Sequence, residues 1–257
     1  MTYVLRDNPG WDRIGGRWLR ATVSSGGDGL VVLTDDAEDL SAMDVFHAPA
    51  QWPGTVPPAL ADALTGVGTV ARLATPSLWD AIATAIIRQV IRADQARLQH
   101  QRFRRQYGPA VQTSAGPLHA LPCADTVAGL QCEDFRRLGM AFKADALRNA
   151  AVAYLDHHTK WAELAPRRLV EELQNVPRIG PWTAGAAVAD HTHDWSLYPH
   201  GDLAVRTWAK AAAPDVDWPT TEPQFAERWR TITGPCLGLA TLFTLAWGAH
   251  HAENADP

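Results

Sequence analysis

Residues 78–107 form the longest segment with helical periodicity, and the first half of this segment restricts the fold most. Its apolar side chains, among them Ile82, Ala85, Ile86 and Ile87, surround the expected helix on nearly every side. A helix that is apolar all round is buried in the core of a protein. The segment therefore predicts a central core helix and a mainly α protein.

The rest of the chain supplies further helices and a small β-rich N-terminal part. Apolar spacing and Gly/Pro punctuation predict helices over residues 135–157, 166–175, 182–191, 203–213, 225–231 and 237–250. Arg17–Val23 and Leu30–Thr34 are β-rich runs, and residues 24–29 have the glycines of a hairpin turn. A Pro-rich connector ends near residue 58. We therefore predict a small N-terminal region, residues 1–58, and a helical domain, residues 59–257.

Composition excludes several classes of protein. The chain has 257 residues, 46 % of them hydrophobic, and three cysteines, which argues against disorder and against a disulfide framework. No run approaches the roughly 18 apolar residues that a membrane span needs, and the N-terminus lacks the pattern of a signal peptide. We expect a reduced, cytoplasmic monomer that does not associate with membranes.

Charge gives two opposed indications. The net charge is −5, which lowers the expectation of nucleic-acid binding because nonspecific affinity for DNA comes from basic groups. The arginines are nevertheless clustered, with Asp94 as the one acid among six of them: Arg88, Arg92, Arg97, Arg102, Arg104 and Arg105. Acidic residues gather instead near the C-terminal end and in an N-terminal group: Asp35, Asp36, Glu38, Asp39 and Asp44. We therefore expect a local basic face on an acidic protein.

Two helical patterns are joined by a turn that cannot be helical, V-P-R-I-G-P at residues 176–181. A tight turn of this kind places several backbone N–H groups at the start of the second helix, where they can hold an anion such as phosphate. The same pattern is also typical of an ordinary corner between two helices. The residues of the turn leave both interpretations open.

The sequence around this turn resembles a known family. V-P-R-I-G-P-W-T-A at residues 176–184 is similar to the helix-hairpin-helix of the DNA glycosylase superfamily, and Y-P-H-G-D at residues 198–202 is similar to its Gly/Pro-rich loop and aspartate. Residues 79–107 and 139–148 resemble its first core helix and the segment between. The resemblance implies a two-lobed helical fold with a small N-terminal β unit. It places the hairpin at about residues 170–191 and the catalytic loop at about residues 196–206, both lining a cleft between the lobes.

By this resemblance, Asp202 is the catalytic residue. An aspartate at the start of a helix is also a preferred N-cap, and the two roles are compatible. Breaking an N-glycosidic bond builds positive charge on the sugar, and a fixed carboxylate stabilises that charge. The same carboxylate can orient or deprotonate the attacking water. One aspartate suffices if the base is a good leaving group, as an alkylated base is.

The resemblance also indicates which branch of the family is nearest. Members that cleave the DNA strand use a lysine at the hairpin position of Trp182 to form a Schiff base, and no lysine lies between residues 174 and 190. Other relatives hold an iron–sulfur cluster with four C-terminal cysteines, whereas only Cys236 lies in that region here. The resemblance therefore implies a monofunctional enzyme of the 3-methyladenine glycosylase type, without an iron–sulfur cluster or any required cofactor. Residues 234–243 are closer to oxoguanine glycosylases.

Further residues are assigned to DNA by the same resemblance. Arg178, Gly180 and Thr183 of the hairpin would bind the DNA backbone, although Arg178 stands where the family usually has a glycine. Val90 occupies the place of the residue that wedges into the duplex when the base is flipped out. A buried core valine is the alternative interpretation of Val90.

The base pocket and a cation site complete the implied set. Trp182, His200 and Trp208 are candidates for the base pocket, with core packing as the alternative for the two tryptophans. Three backbone carbonyls would hold Na⁺ or K⁺ in the turn: those of Gln174, Val176 and Ile179.

The implied activity is removal of a damaged, alkylated base from double-stranded DNA, leaving an abasic site with an intact strand. Two alternatives stay open. One is a hydrolase of a modified free nucleoside or nucleotide, which the acidic net charge would tolerate. The other is a non-catalytic module that binds damaged DNA.

Overall fold

The computed structural model describes residues 2–14, 17–23, 30–34, 43–114 and 116–255. Helices predominate, which confirms the mainly α class. The helices are α1 (Pro58–Val67), α2 (Leu78–Arg88), α3 (Ala93–Tyr107), α4 (Ala124–Gly129), α5 (Cys132–Arg137), α6 (Ala144–Ala162), α7 (Pro166–Leu173), α8 (Pro181–Thr192), α9 (Leu203–Ala212), α10 (Glu222–Thr233) and α11 (Leu237–Ala255). The strands are β1 (Thr2–Val4), β2 (Asp12–Ile14), β3 (Arg17–Val23), β4 (Leu30–Thr34), β5 (Asp44–His47), β6 (Thr69–Arg72), β7 (Ala110–Thr113) and β8 (Gly116–His119).

The chain divides into two compact units, and neither is continuous in sequence. Unit 1 comprises Met1–Asp7, Leu40–Leu73 and Asp194–Pro257, and unit 2 comprises Asn8–Asp39 and Ala74–His193. The first 58 residues contribute to both units, so the boundary expected after residue 58 does not coincide with a boundary between units. Pairing explains this division, because β1 and β5 both pair with β6 in unit 1, whereas β3 packs beside β8 in unit 2.

The N-terminal strands contain the predicted hairpin. β3 and β4 pair antiparallel in continuous register, and β2 pairs with the other edge of β3. The connecting residues 24–29 and the acidic residues at 35–39 lie outside the described residues. Leu19 and Ala21 of β3 are buried against Leu118 and Ala120, so this sheet shares a hydrophobic cluster with the β7–β8 hairpin.

Helix α2 is the core helix that the sequence predicts. Every residue from Leu78 to Ile87 is buried, and the helix packs against α3, α6 and α8. Ser77 begins the helix, because its hydroxyl oxygen accepts the N–H of Asp80 at 3.3 Å. This N-cap satisfies one of the backbone donors that a helix leaves without an intrahelical partner.

Two segments predicted as single helices are each divided. Residues 78–107 comprise α2 and α3, separated by a turn in which Val90 has φ 56°. Residues 135–157 include the end of α5 and most of α6, separated by Gly139 with φ 72° and by a 3₁₀ turn at Ala141–Lys143. The prediction of one continuous helix was wrong in both cases, since a left-handed residue ends an α-helix of L-amino acids.

Helix α11 forms the core of unit 1, where it packs against α1, α9 and α10. The stretch Glu222–Ala252 is long and apolar enough by composition to cross a membrane, and an 18-residue window within it has a mean hydropathy of 1.4. This corrects the expectation that no such stretch is present in the sequence. Half of its apolar window is buried in the protein, and a 3₁₀ turn at Gly234–Cys236 separates α10 from α11. We therefore interpret it as the helical core of unit 1.

Candidate functional site

The predicted hairpin is present in unit 2 as α7, a tight turn and α8. Val176 and Ile179 are buried and anchor the turn, and the Ile179 N–H donates to the Val176 carbonyl at 3.0 Å. Arg178 between them is exposed and has φ 73°, a conformation that glycine adopts most easily. Gly180 is the N-cap of α8 and is exposed. The start of α8 therefore has the polarity that attracts an anion.

Thr183 is buried, whereas the sequence predicts that it contacts the DNA backbone. Only 3 % of the residue is exposed, and its hydroxyl oxygen accepts the side-chain amide of Gln89 at 2.6 Å. The same amide of Gln89 donates to the carbonyl of Arg178 at 3.2 Å. The Thr183 side chain therefore supports the hairpin from inside and is not an exposed ligand for phosphate.

Val90 is not a core valine, because 89 % of it is exposed. It lies in the turn between α2 and α3 with a left-handed backbone, which is costly for a β-branched residue. Val90 is therefore a strained and exposed apolar residue next to Gln89, whose side chain bonds to the hairpin. Phe142, which sequence reasoning did not select, is likewise exposed, at 73 %.

Lys143, which directly follows the exposed Phe142, is buried. Only 2 % of it is exposed, and its ammonium group donates to the backbone carbonyl of Gln89. Burial lowers the pKa of Lys143 to about 8, so the ammonium form still predominates at pH 7. The ring of Phe142 lies 5.7 Å from the same ammonium group.

The loop that carries Asp202 lies in unit 1. Gly201 packs closely against α10, because a Cβ added there would lie 3.0 Å from the Glu222 side chain and 3.2 Å from that of Ala226. Arg206 holds the loop from α9 by donating to the carbonyls of Gly201 at 3.0 Å and Thr220 at 3.3 Å. These two hydrogen bonds give Arg206 a structural role in the loop.

Asp202 is the N-cap of α9 and remains partly exposed. Its Oδ2 atom accepts the N–H of Ala204 and the hydroxyl of the buried Tyr198, each at 3.4 Å. These hydrogen bonds orient the carboxylate, and the positive end of the α9 dipole favours its charge. Capping and a catalytic role are therefore compatible in this geometry.

The remaining pocket candidates differ in their surroundings. His200 is half-buried, and its Nε2 atom accepts from Arg230 at 3.2 Å. Burial, and after it the charge of Arg230, lower the pKa of His200. Trp208 packs against α11 so closely that a Cβ at Gly248 would lie 2.2 Å from its ring. Trp182, at the start of α8, is half-buried.

The basic segment is less exposed than its sequence suggests. Arg104 is buried and forms a two-pronged ion pair with Asp12. Arg97 donates to the carbonyl of Trp11 at 3.3 Å and lies over the ring of Trp18 at 5.9 Å. The basic face is therefore smaller than the sequence predicts, because these two guanidinium groups bind other residues of unit 2.

Among the described residues, no three His, Cys, Asp or Glu side chains could share a metal ion. The cation ligands expected in the turn are backbone carbonyl oxygens and not side chains. The Val176 carbonyl accepts one hydrogen bond, from Ile179, and a carbonyl oxygen has a second lone pair. The donor set of the turn therefore fits a hard cation that prefers oxygen.

Comparison with known proteins identifies the fold. No sequence-family model matches the chain, and no curated protein matches it either. A 3-methyladenine DNA glycosylase from Archaeoglobus fulgidus aligns with a TM-score of 0.69 at 19 % identity, covering 95 % of this chain and 91 % of that one. The chain has the fold of the helix-hairpin-helix DNA glycosylases.

Two further glycosylase structures align over most of this chain. An 8-oxoguanine glycosylase/lyase from Clostridium acetobutylicum, in complex with double-stranded DNA, has a TM-score of 0.69 at 15 % identity and covers 96 % of this chain and 90 % of its own. A DNA-3-methyladenine glycosidase from Bacillus halodurans has a TM-score of 0.57 at 15 % identity, with coverages of 82 % and 95 %. The glycosylase fold is thus shared with proteins of two substrate classes.

Sequence reasoning missed three polar residues of this glycosylase fold: Gln89, Lys143 and Tyr198. Gln89 and Lys143 act through partners far along the chain, as when Gln89 bonds to Thr183, whereas Tyr198 bonds to Asp202 in its own loop. One signal was available for Gln89, because a polar residue directly precedes the expected wedge residue Val90. Burial of Lys143 has no counterpart in the local sequence pattern.

Proposed function

We propose that the protein is a DNA glycosylase that removes a damaged, alkylated base from double-stranded DNA and leaves the strand intact, acting as a cytoplasmic monomer. The observation that carries the proposal is Asp202, whose carboxylate is oriented by the start of α9 and by Tyr198 in a chain with this fold. The exposed hairpin turn and the exposed Val90 support it.

The chemistry follows from charge. As the glycosidic bond lengthens, positive charge develops on the deoxyribose, and a fixed carboxylate at Asp202 stabilises it. The same carboxylate orients the water that completes hydrolysis. An alkylated base that is cationic leaves readily, so no acid is needed to protonate it. This is why a single carboxylate supports the proposal of an alkylated substrate.

DNA would be held by the hairpin in unit 2. The exposed side chain of Arg178 and the start of α8 at Gly180 face solvent and suit a phosphate group. A Na⁺ or K⁺ ion bound by the carbonyls of Gln174, Val176 and Ile179 would supply further positive charge at this turn. Val90 would occupy the space that the flipped base leaves in the duplex.

Trp182 supports the proposal that the enzyme does not cleave the strand. A lyase needs an amine that attacks the sugar and forms a Schiff base, and tryptophan has no such amine. The glycosylase/lyase from Clostridium acetobutylicum shares the fold, so the fold alone is compatible with either activity. The residue at the start of α8 is therefore the more informative feature.

The proposal is tested by a base-release assay on duplexes with alkylated, oxidised or deaminated bases. We expect release of alkylated bases, abasic products that break only after treatment with alkali, and no protein–DNA adduct after addition of borohydride. Release of a different damage class would contradict the proposed substrate. A borohydride-trapped adduct would contradict hydrolysis by a monofunctional enzyme. Activity on free nucleosides alone would favour a nucleoside hydrolase.

Replacing Arg178 by methionine is expected to weaken binding to any duplex and to lower the slope of log affinity against log salt by about 1, because one phosphate contact is lost. Fluorescence anisotropy at several salt concentrations measures this slope. Arg136→Met is the matched control, because it makes the same chemical change at an exposed arginine of α5 that pairs with Glu133 of its own helix. An unchanged slope for Arg178→Met would show that Arg178 does not contact phosphate.

A further inference from the structure

Two strained residues lie in two different turns of unit 2. Among the described residues, three other than glycine have a positive φ: Val90, Arg178 and His193. His193 ends α8 as a left-handed C-cap, which is an ordinary position for this conformation. Val90 and Arg178 instead lie in the turn between α2 and α3 and in the hairpin turn. Such residues keep a costly conformation only where the surrounding structure fixes it.

Gln89 connects these two turns. It directly precedes Val90, and its side-chain amide donates both to the carbonyl of Arg178 at 3.2 Å and to the hydroxyl of Thr183 at 2.6 Å. The side chain thus reaches the strained residue of the hairpin and the first turn of α8. Each change in the orientation of the Gln89 backbone therefore acts on both turns.

Lys143 fixes the backbone of the same residue. Its buried ammonium group donates to the carbonyl of Gln89, at the C-terminal end of α2. A positive charge is favourable there, because the carbonyl end of a helix carries partial negative charge. A buried ammonium group also needs such a partner, since leaving it without a hydrogen bond is costly. This bond therefore holds the peptide that begins the turn of Val90.

Helix capping alone does not account for these bonds. Gln89 ends α2 through its backbone N–H, which donates to the carbonyl of Ile86 at 3.2 Å. The side-chain amide takes no part in that cap and is directed entirely to the hairpin. The contact with Lys143 likewise uses a carbonyl that α2 has already left unpaired.

We propose that Gln89 and Lys143 are positioning residues that hold the turn of Val90 and the hairpin turn in one fixed relation, so that binding of the DNA backbone and opening of the duplex are coupled. The proposal rests on the proposed function for its role in base opening. The coupling between the two turns is a property of the free protein and is testable without DNA.

The first measurement is hydrogen exchange of the free protein in Gln89→Met and Lys143→Met variants. We expect faster exchange at residues 89–92 and also at residues 178–180 of the hairpin turn, although Lys143 contacts only the first turn among the bonds described. Gln99→Met is the matched control, because its amide also donates to a backbone carbonyl, that of Gly139 at 3.1 Å. It should leave both turns unchanged. Faster exchange in one turn only would overturn the coupling.

The second measurement separates base opening from binding. With 2-aminopurine beside the damaged base, Gln89→Met should lower the single-turnover rate of base opening about 10- to 100-fold, because both hydrogen bonds of its amide are lost. Its affinity for undamaged duplex should change little, because Arg178 and the start of α8 remain. A variant that loses affinity and opening rate equally would show a merely structural role.

A double-mutant cycle completes the test. If Gln89 acts through Val90, then adding Gln89→Met to Val90→Ala should lower the opening rate no further. Independent, multiplying effects would overturn the proposal. A wild-type protein that opens no duplex would overturn the proposed function and the role in base opening together. The hydrogen-exchange result would then still decide whether the two turns are coupled.

Discussion

Replacing Asp202 by asparagine is expected to lower the rate of base release by about 10²- to 10⁴-fold, the range for loss of a positioned catalytic group. Asparagine keeps the shape of the side chain and is itself a good N-cap, so α9 should be preserved. What is lost is the negative charge that stabilises the sugar cation. Single-turnover release of base from alkylated duplex measures this loss without a contribution from product release.

A second aspartate of unit 1 provides the control. Asp194 is also an N-cap, and its side chain accepts the N–H of Ser196 at 3.1 Å. Asp194→Asn makes the same chemical change at a second cap and should leave base release unchanged. The melting temperatures of Asp202→Asn and Asp194→Asn should be equal. A wild-type rate for Asp202→Asn would contradict the mechanism, and an equal loss in both variants would indicate a structural effect of losing a capping carboxylate.

The hairpin and the Asp202 loop could be predicted because their signals are local. Pro177, Gly180 and Pro181 cannot continue a helix, and the segments on either side have clear helical patterns. The start of α9 follows in the same way from an aspartate after a Gly/Pro-containing loop. In each case, a few adjacent residues determine the backbone, so one sequence is sufficient.

The break between α2 and α3 could not be predicted from its own residues. Q-V-I-R at residues 89–92 contains neither glycine nor proline, and the helical pattern continues on both sides. The turn is fixed by contacts with distant parts of the chain, which are Lys143 on the carbonyl of Gln89 and the hairpin on its side chain. The exposure of Val90 follows from this turn, and the sequence therefore left Val90 open between core and wedge.

The sequence overestimates the extent of the basic face for the same reason. Arg104 lies in a basic segment, but its partner Asp12 is 92 positions away in the N-terminal strand β2. A pattern within one helix carries no information about such a pairing. The arginines of α3 therefore divide into exposed groups, such as Arg102 and Arg105, and a group that holds β2 to the helix.

Replacing Arg104 by methionine is expected to lower the free energy of unfolding by about 3–5 kcal/mol, as found when one partner of a buried ion pair is removed. The guanidinium group bonds to both carboxylate oxygens of Asp12, at 3.0 and 3.1 Å, and to the carbonyl of His119 at 2.6 Å. Its Nε atom also donates to His100 Nδ1 at 3.0 Å. Burial, and after it the charge of Arg104, hold the pKa of His100 well below its usual range, so the ring accepts as a neutral group.

Chemical denaturation of three variants separates this role from DNA binding. Arg102→Met, at an exposed position on the same helix, should change the free energy of unfolding by no more than about 0.5 kcal/mol. Adding Asp12→Asn to Arg104→Met should recover part of the lost stability, because the carboxylate left without its partner is then removed. A loss below about 1 kcal/mol for Arg104→Met, the value typical of an exposed pair, would place Arg104 back on the basic face. The acidic protein would then offer DNA a broader positive surface than this buried ion pair allows.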